Sequence, residues 1–178
     1  MTLMTGEELL RHPDLDPGEW VDGRIVPTPL SGDEHGDIEA EMVMRLRLYG
    51  KESERGRAVC GGAGIYIRRD PDTVRGPDIL FISKERDAKP RAKGYFEVAP
   101  ELVVEVLSPD HRPHQMREKL RDYFSADMKV VWMVDPQARR VLVYRSLTDI
   151  TELRIGQALM DEKLLPGFRF PISDLFPE

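Results

Sequence analysis

Leu102-Val-Val-Glu-Val-Leu107 is an apolar run interrupted by a single carboxylate, Glu105. Short and rich in valine, it reads as a strand buried on both faces, and so as the middle of a sheet. A second run, Asp78-Ile-Leu-Phe-Ile82, reads the same way, and the charged, glycine-containing stretch between the two is a surface loop. Ser108-Pro109-Asp110 then leads into a helix predicted over His114 to Ala126, with Ser108 capping it or shaping its entry. Beyond it, Lys129 to Val134 and Val141 to Tyr144 flank Asp135-Pro136 as a hairpin.

Toward the N-terminus, Ile38, Met42, Leu46 and Tyr49 recur every three or four residues, which predicts a long helix from about Asp33 to Arg55, ended by Gly56. Ala58 to Arg69 reads as a strand entered through a bend at Gly61-Gly62, closed by a turn at Asp70-Pro71-Asp72. Trp20 to Val26 alternates about Asp22-Gly23 as a small hairpin. Thr5 and Glu8 form a capping box for a short first helix that Pro13 ends. The tail from Leu164 to Phe176 packs across the body. This order predicts a single α/β domain spanning residues 1 to 178, with a mixed central sheet and a main helix on each face.

The chain has 178 residues, and 32 Asp+Glu against 26 Lys+Arg give a net charge of -6. That balance argues against a surface that coats nucleic acid or anionic lipid, while leaving room for a local basic cleft. With 40% hydrophobic and 33% charged residues, the composition excludes disordered and collagen-like classes. One cysteine, Cys60, rules out an internal disulfide and is read as a small packed residue. No apolar window approaches the ~18 residues of a membrane span, and the acidic start MTLMTGEELL has no signal-peptide pattern, so a cytoplasmic protein without membrane contact is expected.

Glu105 is the anomaly, because a carboxylate inside a buried strand costs several kcal/mol unless it is paired or holds a cation. Alternation sets it on one face with Val103 and Leu107, and Asp78, directly after Pro77, opens the neighbouring run. Two carboxylates converging at strand ends make a site for a hard cation such as Mg²⁺, with the backbone carbonyl of Val106 as a third ligand. On the second helix, Met116, Leu120, Tyr123 and Phe124 form one stripe, Glu118 and Arg121 lie opposite, and Lys119 sits on the border, able to reach back toward Glu105. Asp, Glu, a divalent cation and Lys together suit phosphodiester cleavage. The alternative for Glu105 is a buried ion pair with Arg75 or Arg112.

The segments Arg75-Gly-Pro-Asp-Ile-Leu-Phe-Ile-Ser83, Pro100-Glu-Leu-Val-Val-Glu-Val-Leu-Ser-Pro-Asp110, Glu118-Lys119 with Tyr123, and Val131-Trp-Met-Val-Asp-Pro136 resemble the bacterial putative restriction endonuclease family of the PD-(D/E)XK nuclease superfamily. Glu34-His35-Gly36 and Leu165-Pro-Gly-Phe168 are similar to that family as well, so the resemblance covers roughly residues 19 to 176. It implies a restriction-endonuclease-like fold and an Mg²⁺-dependent DNA endonuclease in which Mn²⁺ can substitute. By position, Asp78 matches the Asp of the Pro-Asp motif and Glu105 the acidic residue of the second half-motif. The usual lysine would fall at Leu107; Lys119 matches a family variant whose lysine has migrated to the following helix.

Three residues are accessory candidates: His35 to orient a phosphate or water, unless it caps or packs its helix; Glu39, one turn on; and Arg112 to hold a substrate phosphate. Arg112, Arg117, Lys119 and Arg121, opposed only by Glu118, and separately Arg68, Arg69 and Arg75, form basic patches able to meet a DNA backbone, although a solvated helix face reads the same way. A homodimer is expected because cutting two strands calls for two sites. The competing functions are a catalytically silent nuclease-fold binding or assembly protein and a hydrolase of small phosphoesters.

Overall fold

The computed structural model describes residues 4–12, 18–28, 30–88, 94–109 and 112–176. Pro13, Asp110 and His111, which entered the sequence reading, lie outside the described residues. The elements run α1 (Gly6–Leu9), β1 (Gly18–Val21), β2 (Arg24–Pro27), α2 (Asp33–Glu52), β3 (Gly56–Cys60), β4 (Ile65–Arg68), β5 (Thr73–Arg75), β6 (Ile79–Ser83), β7 (Leu102–Val106), α3 (Pro113–Ser125), β8 (Val130–Asp135), β9 (Arg140–Tyr144), β10 (Ile150–Arg154), β11 (Ala158–Asp161) and β12 (Leu165–Pro171).

A six-stranded sheet in the order β10-β9-β8-β7-β6-β3 forms the centre. Its pairs are antiparallel except β7 with β8, which run parallel because α3 carries the chain back across one face between them. The two apolar runs, β6 and β7, lie side by side in the interior of the sheet, as their composition requires. Alternation then divides their side chains. Ile79, Phe81, Val104 and Val106 face α2, which brings Ile38, Met42 and Leu46, with Trp132, Phe168 and Phe170 filling the same layer. Leu80, Val103 and Leu107 face α3, which brings Leu120 and Tyr123. Each face thus has one main helix.

A smaller antiparallel sheet, β2-β1-β5-β4, and the hairpin β11-β12 complete the fold. The single strand expected over 58–69 is instead two strands in different sheets. Gly61 and Gly62 adopt φ of +83° and +64°, so the chain between β3 and β4 turns away rather than continuing. Gly56 does not end α2 but begins β3. The helix stops at Glu52 with Ser53, whose Oγ donates to the Tyr49 carbonyl at 2.6 Å, and Gly56 is needed because a Cβ there would lie 2.3 Å from the Ile82 carbonyl oxygen. The capping box at Thr5–Glu8 and the Asp22-Gly23 hairpin form as expected. Ser108 does not cap α3, whose N-cap is Arg112 followed by Pro113 at the first helical position. Cys60 is exposed rather than packed. Among the described residues no helix is long and apolar enough to cross a membrane.

Candidate active site

The β6–β7 ladder ends at Ile79 opposite Val104, and the next positions along the two strands are Asp78 and Glu105. Pro77 offers no ladder donor, and Asp78 takes over the ladder's role with its side chain: Oδ2 accepts the Val106 N–H at 2.6 Å. The sequence pair Pro77-Asp78 therefore fixes a carboxylate at a sheet end. Val106 enters the site through its amide.

From the α2 side, His35 and Glu39, one turn apart, complete a cluster with Asp78. One ligand atom from each lies within 4.8 Å of the others. His35 Nε2 is 3.3 Å from Asp78 Oδ1, yet neither buried ring nitrogen has a well-aligned hydrogen-bond partner. Contact with the Asp78 carboxylate pushes the His35 pKa up, burial opposes the rise, and the charges of Glu39 and Glu105 reinforce it. Glu39 Oε1 accepts the N–H of Gly61 at 3.2 Å, which ties it to the β3–β4 turn. His35 is the third residue of α2, whose N-cap is Gly32, so it is not a capping residue.

His35 and Asp78 face each other as an imidazole–carboxylate pair, two groups of the kinds that bind divalent cations. Two donors bonded at about 2.1 Å to one ion lie at most about 4.2 Å apart, so the His35–Asp78 pair at 3.3 Å spans one divalent ion, and a cluster reaching 4.8 Å closes on it with a small side-chain adjustment. The donors of this chain therefore fit a metal.

From the α3 side, Lys119 Nζ donates to both oxygens of Glu105, at 3.1 and 2.9 Å, and the Tyr123 hydroxyl donates a short hydrogen bond to Oε1. Burial pushes the Glu105 pKa up to about 7; Lys119 opposes this, while the charges of Asp78 and Glu19 add to it. Burial alone would lower the Lys119 pKa, but the adjacent charges of Glu105 and Glu19 outweigh it and hold it above the ordinary value. Lys119 is therefore an ammonium at neutral pH.

Sequence reasoning missed Glu19. It lies on β1, buried to 7% exposure, and bridges Lys119 at 3.1 Å to Arg75 at 2.7 Å, while Arg75 reaches Asp122 on α3 at 2.6 Å. Glu105 thus pairs with Lys119 rather than with Arg75 or Arg112. The signal for Glu19 lay in Gly18-Glu-Trp-Val21, where alternation puts Glu19 and Val21 on one face, but nothing in the chain identified which sheet that face meets. Arg68 and Arg69 are likewise engaged, with Asp122 and Glu7, so the expected basic patch before β6 is consumed by internal pairs. Arg112, Arg117 and Arg121 are exposed, and among the described residues they form no ion pair.

Two outcomes follow from the α3 side. Tyr123→Phe removes a donor from a buried carboxylate and should cost about 1–3 kcal/mol in chemical denaturation. The folded Glu105 keeps its proton to about pH 7, whereas the unfolded one releases it near its ordinary value of 4.5. Between those values the folded chain binds more protons, so stability falls as pH rises. Relative to Glu105→Gln, the Tm of the metal-free protein should drop by several °C from about pH 5 to about pH 8.

Comparison with curated proteins finds no match. Among solved structures, that of a putative nuclease belonging to DUF820 from Anabaena variabilis ATCC 29413 superposes with a TM-score of 0.80 at 23% identity, covering 97% of each chain. At that identity the likeness establishes the fold alone, a mixed central sheet flanked by helices. Residues 7–173 match the Uma2 family model, described as putative restriction endonuclease, and with nearly its whole length matched the chain belongs to that family.

Proposed function

We propose that the protein is a divalent-metal-dependent DNA endonuclease whose working residues are Asp78, Glu105 and Lys119, joined by His35 and Glu39. The observation that carries this reading is the meeting, at one end of the β6–β7 pair, of a three-residue donor cluster and a part-buried ammonium. Asp78, His35 and Glu39 would hold the ion, with Glu105 and the Val106 carbonyl completing its shell. Mg²⁺ follows from the carboxylates, and the imidazole shifts the preference toward Mn²⁺. Bound there, such an ion polarises a phosphate oxygen and lowers the pKa of water.

Lys119 supplies fixed positive charge where the phosphate gains negative charge in the transition state. Its high pKa excludes it as a proton acceptor. Tyr123 and Glu19 orient Glu105 and Lys119 by hydrogen bond and charge. Arg112, Arg117 and Arg121, open to solvent along the start of α3, serve the substrate backbone. Changing all three to Gln should raise the KM for DNA and reduce the dependence of log K on log salt by about 0.9 for each phosphate that is no longer neutralised.

One observation favours the silent binding or assembly protein instead: Lys119 is already neutralised between Glu105 and Glu19. Plasmid relaxation with Mg²⁺ or Mn²⁺, with chelator as control, separates the two. Metal-dependent nicking supports the nuclease, and intact plasmid at saturating metal supports the binder. Turnover of small phosphodiesters with no action on plasmid would point to the small-substrate hydrolase. The homodimer and the cytoplasmic location belong to the same proposal.

A further inference from the structure

We propose that the outward face of α2 is the surface through which two copies of this chain associate, antiparallel about a two-fold axis level with residue 42. The inward face of the helix is accounted for by Ile38, Met42, Leu46 and Gly50, all buried. On the opposite face Ala40, Met44 and Leu48 recur every fourth residue and are exposed, Met44 at 45% and Leu48 at 49%. They make an apolar ridge along the middle of a 20-residue helix.

The charges beside that ridge are sorted by end. Asp33 and Asp37 precede it, and Arg47 and Lys51 follow it. All four are exposed, and among the described residues none of them has an ion-pair partner within the chain. In an antiparallel pair centred on residue 42, positions equidistant from the centre face each other. Asp33 then meets the second copy's Lys51, Asp37 meets its Arg47, and Ala40 meets its Met44. Every charged contact is attractive and is made twice, which is the self-complementarity that a two-fold contact demands. A parallel pair would set like charges together. Nucleic acid would be repelled by the acidic half. A shallow crossing angle keeps the end charges within reach. A single helix pair buries less than a standard interface, so the association is weak, on the order of micromolar, and salt-sensitive. The surface supplies the homodimer that the nuclease reading calls for, but it is argued from the α2 face alone, so its test can fail without touching the chemistry.

Sedimentation velocity of the intact chain from roughly 5 to 200 µM at low salt tests it, a range that brackets the expected affinity. The wild type should pass from monomer to dimer. Met44→Glu should stay monomeric across the range while keeping the wild-type circular dichroism spectrum. The double variants Asp33→Lys/Asp37→Arg and Arg47→Asp/Lys51→Asp should each dimerise at least ~10-fold more weakly than wild type, as expected when several attractive contacts become repulsive. Mixed in equal amounts, they should recover wild-type association, because the two altered faces are complementary to each other. A wild type that remains monomeric throughout overturns the proposal and leaves the sorted charges to the helix macrodipole alone. So does a dimer that survives Met44→Glu, or a mixture of the two charge variants that fails to associate.

Discussion

Asp78→Ala is expected to lower Mn²⁺- or Mg²⁺-supported DNA cleavage by at least ~100-fold while the protein stays folded; removal of a single group that stabilises transition-state charge typically costs that much. Asp78 has two roles at the sheet end. Its Oδ2 closes the ladder by accepting the Val106 N–H at 2.6 Å, and its Oδ1 faces His35 at 3.3 Å. The alanine variant loses both. The structural part, one buried N–H left without a partner, costs about 1–3 kcal/mol, which a sheet of this size tolerates. Asp78→Asn separates the roles, because the amide oxygen still accepts from Val106 while the charge is gone. It should keep nearly wild-type stability and still lose cleavage. A single-turnover assay on plasmid, read beside a melting curve, measures both. Full activity in either variant removes Asp78 from the site.

Lys119→Met carries the second large effect, on stability and activity together. Lys119, itself partly buried, is the cation between two buried carboxylates, Glu105 and Glu19, at 2.9 and 3.1 Å. Removing one member of a buried ion pair costs about 3–5 kcal/mol, since the remaining charges lose both their partner and their water. Part of this loss should vanish on acidification. Without the ammonium, Glu105 takes up a proton more readily, and the protonated group is cheaper to bury. Urea unfolding at about pH 5.5 and about pH 8 should therefore show the smaller deficit at the lower pH. An equal deficit at both would mean that Glu105 does not carry the penalty. Cleavage by Lys119→Met should fall by ~100-fold or more, the scale for removing one electrostatic stabiliser of the transition state.

The parts of the fold set by local periodicity were legible in the chain. The runs 78–82 and 102–107 became adjacent interior strands, and the stripe on the long helix became its buried face. Glu105 stood out because a carboxylate amid valines contradicts its surroundings, and the stripe on α3 placed Lys119 at reach of it, as the bonds at 2.9 and 3.1 Å show. What sequence did not convey depends on packing between elements far apart. Glu19 on β1 meets Lys119 a hundred residues later only because the small sheet packs against α3. The same packing engages Arg75 with Glu19 and Asp122, turning an expected substrate-binding cation into a structural one. In the sequence His35 and Glu39 are accessory candidates, with capping or packing as the alternative for His35. Their meaning came from the start of β6 arriving beside them.

The α2 and α3 sides contribute different chemistry to one sheet end, donors from the first and positive charge from the second. Part of the net charge of -6 therefore sits at the site and does not count against DNA as a substrate. Acidic groups gather at the cation site, while the arginines of the α3 surface face outward.

The most direct test of this site is a crystal structure with Mn²⁺ at saturating concentration, its position fixed by anomalous scattering. One strong peak is expected, bonded to Asp78 and His35 at the roughly 2.1 Å of metal–oxygen and metal–nitrogen bonds, with Glu39 and Glu105 around it. The same crystal form grown from Asp78→Ala and soaked alike should lose the peak. Saturating Mn²⁺ with no density between Asp78 and His35 would contradict a cation site at this sheet end.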